Sequence, residues 1–550
     1  MSRGKTKKIN IPITEASEVS ESSRSPSPVN QSDFFHHFSS NAPSSSKHSY
    51  KSESSVHTSA SYYSESSRRD TNNVTERSTQ ESDAELIKQI TKSMRSIKNE
   101  KYRVEPTVIT KMENVKLDDI IKPRENRINE IKAYLKDKNI ISFIDLDGTS
   151  SELFADQHRC NDQNCSNINC IIPRQYLNLK EMVKAMDLNL FYISSGSTGH
   201  TFQALRIKRD ERGKRVKNAD GHTIFSGQLA FAFKVIAYPK CGYGWYDDIS
   251  RPENVELRII KQLAGMVIRG ETPHVVIPIF VFKTSIIPFL DTQSACINID
   301  NRENKLYKEF LELYNKGKLE EHVSVLVTEW AEAGDLMTYI YNNYRTTMTE
   351  KVWKVIIFQI VHTFARIQLR YPDFRHNDAK TNNMLLQKIA PNNGNNTTAK
   401  NSFMYTFRES KDATVRYYFE IPNIGLHAKI TDFDFSCNGD EIVNSKVESV
   451  WAHEEVKLSS KRNHYYDLHY FINTLSDKKL YPEFNKYVPN SIKDFISRVV
   501  PAKYHININP RSQFLTENGR LIVDDEYTTP KKLILGDPLF EEYRFVGNVD

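Results

Sequence analysis

The chain has 550 residues, enough for one large domain with extensions or for several ordinary ones. Its 39% hydrophobic and 11% aromatic content can fill a sizeable core, which excludes a wholly unstructured protein. Six cysteines argue against a disulfide framework, and a net charge of +6, modest for this length, hints at acidic partners without establishing any; nucleic acid is not among the expected partners. With no signal-like apolar start and no run of bilayer-spanning length, a soluble protein of a reducing, intracellular compartment is expected.

Residues 1–84 are dominated by serine and hold no sustained period, so a disordered tail is predicted. Ser25-Pro26-Ser27-Pro28 reads as solvated linker rather than as a modification site. An N-terminal extension, 85–187, comes next. Leu86, Ile87, Ile90, Met94 and Ile97 recur at helical spacing within 83–99, which predicts a short amphipathic helix docked on the next domain. In 140–149, IISFIDLDGT matches the strand-then-DxDGT pattern of haloacid-dehalogenase-type phosphatases, with Asp145 as nucleophile and Asp147 as acid/base. No partner lysine and acidic pair stand in order downstream, so a strand and turn beside the next domain is preferred. His158, Cys160, Cys165 and Cys170 form a set of soft ligands that could hold Zn²⁺, but the spacing matches no zinc knuckle, and surface thiols are the preferred reading.

A strand-like start at Asn189 then runs into Ser194-x-Gly196-x-x-Gly199-x-Thr201. A turn with Gly196 and Gly199 lets backbone N–H groups approach phosphate oxygens. The apolar run LAFAFKVI contains Lys234, and burying an ammonium there needs a partner such as a phosphate. The charged stretch 205–228 between these strands is read as a surface insertion. Glu256 lies beside the apolar face made by Ile259, Ile260 and Leu263, placing it to fix the Lys234 amine; Glu253, one turn earlier, competes. Strand-like Val325–Val327 passes Thr328 into the connector Glu329-Trp330-Ala331. The backbone of Glu329 and Ala331 can bond an adenine edge, and Asp335 can accept from ribose hydroxyls or cap the next helix.

The segment 351–370 is a candidate buried helix. It feeds His376-Asn377-Asp378-Ala379-Lys380-Thr381-Asn382-Asn383. In phosphoryl transfer a carboxylate at Asp378 orients the attacking hydroxyl and accepts its proton, Lys380 neutralises charge on the transferred group, and the Asn383 amide oxygen can hold metal. Asp432, in ITDFDFS, supplies a second hard ligand suited to Mg²⁺. The Asn-rich stretch 391–401 and the segment after it look like an insertion. Asp467 enters a helix at 465–475, where it can accept backbone N–H groups of the catalytic loop.

Together these residues resemble the eukaryotic-type protein-kinase superfamily over about 188–540, and most of all the serine/threonine kinases of poxviruses and other large DNA viruses. The resemblance rests on FYISSGSTGHTF, HNDAKTNNMLL, the DFDFS segment and YYDLHYFINTL. It implies an α+β, bilobal fold: a small β-rich N-lobe with one key helix at 188–331, and a larger, mainly helical C-lobe at 332–550. It further implies ATP with Mg²⁺ or Mn²⁺, protein substrates, and a setting in the host cytoplasm or the virion, with virion structural proteins as partners. Three positions depart from the pattern. Asn377 stands where the superfamily has arginine, which argues against a phosphate-paired activation loop. Asp434 stands where it has glycine, adding a carboxylate near the metals. No A-P-E motif is visible between Phe435 and Asp467. The competing readings are a small-molecule kinase of the aminoglycoside or choline type, disfavoured by Lys380, and a pseudokinase scaffold, disfavoured by the retained ligands.

Overall fold

The structure, a computed structural model, describes residues 122–147 apart from 139 and 141; 177–508 apart from 197–198, 220–222, 241–247, 291–296, 299–304, 390–400, 411–412 and 414; and 513–548. The serine-rich tail, the 83–99 helix and the His158/Cys160/Cys165/Cys170 set lie outside the described residues, as does nearly all of 391–401.

Helix α1 (Lys122–Lys138) buries Ile128, Ile131, Tyr134 and Leu135, and the Tyr134 hydroxyl donates to Met186 O at 2.9 Å. The stretch after it does not form the expected strand. It touches the sheet through Phe143 N–H to Ile279 O (2.9 Å) and then turns, with Asp147 N–H donating to Asp145 Oδ1 (2.9 Å). Lys132 pairs with Asp147 at 2.6 Å on the surface, so the two aspartates shape a solvated turn.

Helix α2 (Leu179–Ala185), capped by the Asn178 side chain, leads into the small lobe. Its strands are β1 (Leu188–Ser195), β2 (Gly199–Ile207), β3 (Phe225–Pro239), β4 (Pro278–Ser285), β5 (Ile297–Asn298) and β6 (Leu319–Glu329). They form one sheet in the order β4-β6-β3-β2-β1-β5, antiparallel except for the β1–β5 pair. The charged insertion extends the β2–β3 hairpin through bridges at Arg209–Arg215 and Lys217–Thr223. Helix α3 (Pro252–Ile268) is buried along nearly its whole length, which explains why so few of its positions read as a polar face. Helix α4 (Lys305–Asn315) precedes β6.

The larger lobe begins with α5 (Leu336–Asn343) and α6 (Glu350–Arg370). By length and composition α6 alone among the described helices is apolar enough to cross a membrane, contrary to the expectation that no run reaches that length. It is a core helix, with Trp353, Ile357, Phe358, Val361 and Phe364 buried. Beyond it lie β7 (Phe374–Arg375), β8 (Met384–Lys388), β9 (Ser402–Arg408), β10 (Val415–Pro422), β11 (Leu426–Ile430) and β12 (Cys437–Asn438), then α7 (Tyr466–Leu475), α8 (Asn490–Val499), α9 (Pro530–Gly536) and β13 (Arg544–Asn548). The region read as an insertion is a hairpin, β9–β10, whose open edge is taken by β13, so the end of the chain closes a three-stranded sheet. The α+β, two-lobed arrangement is the one expected. The lobes are joined by the connector after β6 and by Ile430 N–H to His274 O (2.8 Å) and Val276 N–H to Ile430 O (3.1 Å).

Candidate active site

The glycine turn joins β1 to β2. Gly196 N–H donates to Gly199 O at 2.8 Å, and Ser195 pairs with His200. A Cβ on Gly199 would stand 2.6 Å from Val235 O, whereas one on Gly196 would meet nothing nearer than 3.8 Å. Gly199 is thus required by the close approach of β2 to β3, and Gly196 leaves room above the site.

Beneath this turn, β3 presents Lys234. Its Nζ donates to Glu256 Oε1 on α3 at 2.6 Å and to Asp432 Oδ1 at 2.8 Å, linking residues 198 positions apart. Glu253 does not compete, because it pairs with Arg251 at 3.1 Å. Burial works against the Lys234 ammonium, but Asp432, Glu256 and Asp434 outweigh it and raise its pKa above the ordinary lysine range. Two carboxylates share this one ammonium. Burial drives Glu256 up to about 7 despite Lys234, while Lys234 holds Asp432 below its ordinary value against the effect of burial. Asp432 has φ 65°, a left-handed conformation uncommon for aspartate and imposed by the turn after β11.

The catalytic-loop candidates sit on the turn between β7 and β8. Asp378 is buried, with its Oδ2 accepting from Asn383 Nδ2 at 2.9 Å and lying 3.0 Å from Lys380 Nζ. Asn383 Nδ2 also donates to Asp378 O at 2.8 Å, so both amide hydrogens are engaged and the amide oxygen is the end available as a ligand. Burial would raise the Asp378 pKa, but Lys380 and Arg520 hold it below the usual carboxylate range. The loop is fixed from below: Asp467 accepts from His376 N–H (2.7 Å) and Asn377 N–H (2.9 Å), the contact expected of it. Asn377 has φ 63°, which asparagine tolerates better than most side chains, and its Nδ2 donates to Phe435 O at 3.1 Å. Asp434 is buried against Lys446 at 2.8 Å, so its added charge is neutralised within the chain.

The connector has a role that the sequence does not advertise. The Glu329 side chain points into the protein: Oε1 accepts from Ile277 N–H (3.0 Å) and meets Lys429 Nζ (2.9 Å), and Oε2 accepts from Gln387 Nε2 (2.9 Å). On the outside, Arg127 of α1 reaches Trp330 O at 3.4 Å. Ala331 is buried. Asp335 caps α5 by accepting from Thr338 N–H at 2.9 Å, and burial raises its pKa. The structure therefore brings Lys234, Glu256, Asp378, Lys380, Asn383 and Asp432 together, with Thr431 N–H to Asn383 O (3.1 Å) tying the Asp432 turn to the catalytic-loop candidates.

The donor set fits a nucleotide with a hard divalent cation. Asp432 and Asn383 offer oxygen ligands from only two side chains, which suits Mg²⁺, an ion that keeps several waters and takes phosphate oxygens. Among the described residues no group of three His, Cys, Asp or Glu side chains forms a separate metal site.

No family model matches this chain. A provisionally named serine/threonine-protein kinase of Acanthamoeba polyphaga mimivirus is 39% identical over 433 residues, covering 78% of this chain and 82% of the relative. A second provisionally named serine/threonine-protein kinase of that virus is 25% identical over 213 residues, covering 34% of this chain and 47% of the relative. Among solved structures, a BubR1 kinase domain aligns over 45% of this chain and 46% of its own with 12% identity and a TM-score of 0.23.

Proposed function

This chain belongs to the protein-kinase superfamily, with the kinases of large DNA viruses, and from that premise we propose that it transfers the γ-phosphate of ATP to serine or threonine hydroxyls of proteins. The observation that carries the reading is the Lys234 amine shared between Glu256 (2.6 Å) and Asp432 (2.8 Å), with the turn carrying Asp432 bonded through Thr431 N–H to Asn383 O (3.1 Å) of the loop in which Asp378 is bonded to Asn383. ATP with Mg²⁺ supplies the phosphoryl group and neutralises its charge. Lys234, held by Glu256, binds the α- and β-phosphates. Asp432 and Asn383 hold the cation, and the backbone of Glu329 and Ala331 takes the adenine edge. Asp378 orients the acceptor hydroxyl and receives its proton as the new O–P bond forms and the bond to the ADP oxygen breaks. Lys380 stabilises charge on the transferred group.

The same reading divides the chain into a tail at 1–84, an extension at 85–187, an N-lobe at 188–331 and a C-lobe at 332–550. The viral source of both relatives supports the infected host cytoplasm or the particle as its setting, with virion proteins among its substrates. The test is transfer of radiolabelled γ-phosphate to generic acidic and basic proteins, with phosphoamino-acid analysis, alongside aminoglycosides and choline as acceptors. Label on serine and threonine, lost in Asp378→Asn while nucleotide binding persists, is the expected result. Transfer that survives in Asp378→Asn, or that goes only to the small amines, overturns it.

A further inference from the structure

Arg520 is not part of any motif, yet it touches the centre of the site. It is buried, and its guanidinium donates through Nη2 to Asp378 Oδ1 and through Nη1 to Asn377 O. It stacks 4.5 Å over the Tyr470 ring of α7. The segment that carries it is a hairpin: Leu515 bridges Leu521, Ile522 N–H donates to Phe514 O (2.9 Å), and Thr516 N–H donates to Arg520 O (2.9 Å). Gly519 forms the turn with φ 81°, and its carbonyl accepts from His469 Nε2 at 3.1 Å. The arginine therefore rests on a hairpin bonded to α7.

We propose that Arg520 is a positioning residue for the Asp378 carboxylate, fixing from the C-terminal hairpin the plane in which that group meets an acceptor hydroxyl. This rests on the kinase reading above. Lys380 and Asn383 both engage Oδ2, which leaves the carboxylate free to pivot about that oxygen; among the described residues Arg520 alone engages Oδ1. The second guanidinium bond, to Asn377 O, makes the contact two-pronged, so rotation of the carboxylate would break a bond to a buried cation. A carboxylate has about four acceptor sites, so a hydroxyl can still be received. Asn377 leaves the loop without the arginine that its position has in the superfamily, and the hairpin supplies one from 143 residues downstream. The charged and titratable groups facing Asp378 are His376 and Lys380 on its own loop, Asp432 after β11, Tyr470 on α7, and Arg520. Of these, only Lys380 and Arg520 bring a permanent positive charge to the carboxylate.

The test uses the full chain with Arg520→Met and Arg520→Lys. In Arg520→Met, kcat should fall on the order of tenfold to a hundredfold with the KM for ATP unchanged, the scale expected for misplacing a reacting group. Arg520→Lys, which keeps the charge but not the fork, should recover kcat only in part. Independently of activity, ¹³C NMR of labelled aspartate at one neutral pH, with the Asp378 signal assigned by its loss in Asp378→Asn, should show that carboxyl resonance displaced in Arg520→Met, because the hydrogen bond to Oδ1 is gone. A wild-type kcat in both variants overturns the proposal, as does a rise in kcat, which would make Arg520 a lock. If Arg520→Met does not fold, an unchanged kcat in Arg520→Lys overturns it. A displaced Asp378 resonance in Arg520→Met, together with no phosphate transfer by the wild-type chain, keeps the positioning role and rejects the kinase reading; an undisplaced resonance in an active kinase does the reverse.

Discussion

Glu329→Ala should be among the most damaging single changes outside the reacting groups. Glu329 and Lys429 are both almost fully buried, and their contact of 2.9 Å spans the two lobes. Removing the carboxylate leaves Lys429 charged and enclosed, strips an acceptor from Ile277 N–H, and frees Gln387. Breaking one side of such a pair costs about 3–5 kcal/mol, and the lost bond to the backbone amide keeps the expectation near the upper end. Glu329→Gln retains an acceptor and should cost about half as much. Urea unfolding followed by fluorescence reads the change, with nucleotide affinity as a second measure because the ion pair sets how the lobes meet. The double variant Glu329→Ala/Lys429→Met should recover much of the loss, since it removes the orphaned ammonium, and Arg127, 3.8 Å from Glu329, keeps Glu332 at 3.6 Å. A loss below about 1 kcal/mol in Glu329→Ala, or a double variant no better than the single, would refute the reasoning.

Gly199→Ala should raise the KM for ATP severalfold and destabilise the small lobe by about 1–3 kcal/mol, because the added methyl would stand 2.6 Å from Val235 O; Gly196→Ala, in open space, should be mild in stability measurements. Acidification should also weaken the fold. Burial pushes His362, His427 and His469 down to about 3, so between pH 6.5 and 3 the unfolded chain binds protons that the folded chain does not. Their contribution is complete above pH 6.5 and shrinks as pH falls, by roughly 1 kcal/mol for each on going from pH 7 to 5.5. His200, lowered to about 4, and His274, lowered well below the ordinary range, add in the same sense, while Glu256, raised to about 7, opposes them, which leaves a net loss on the order of 4 kcal/mol in urea unfolding at the two pH values. Equal stability at both would contradict the burial argument.

What the sequence disclosed depends on how the site is encoded. Asp378, Lys380 and Asn383 fall in one short turn, so their spacing alone speaks, and Lys234 stands out as a charge in an apolar strand. Glu256 and Glu253 were both plausible until the Arg251 pair claimed Glu253. Arg520 and the Glu329–Lys429 pair were not legible, because each depends on a contact between segments about a hundred or more residues apart with no local period. Arg520 lies in a polar turn, where an arginine normally reads as solvated. The β9–β10 hairpin looked like an appendage because its pairing partner, β13, is at the far end of the chain. The strand expected within 140–149 did not form: among the described residues Phe143 meets the sheet through one backbone bond to Ile279 O, with its ring under the Lys261 ammonium at 4.8 Å, and the chain then turns.

Electron paramagnetic resonance of Mn²⁺ titrated with ATP tests most directly whether these scattered side chains enclose one metal–nucleotide. Tight, ATP-dependent Mn²⁺ binding is predicted for the wild-type chain, weakened at least tenfold in Asp432→Asn and in Asn383→Leu and left nearly intact in Asp145→Asn. Equal binding in all four proteins would contradict the account.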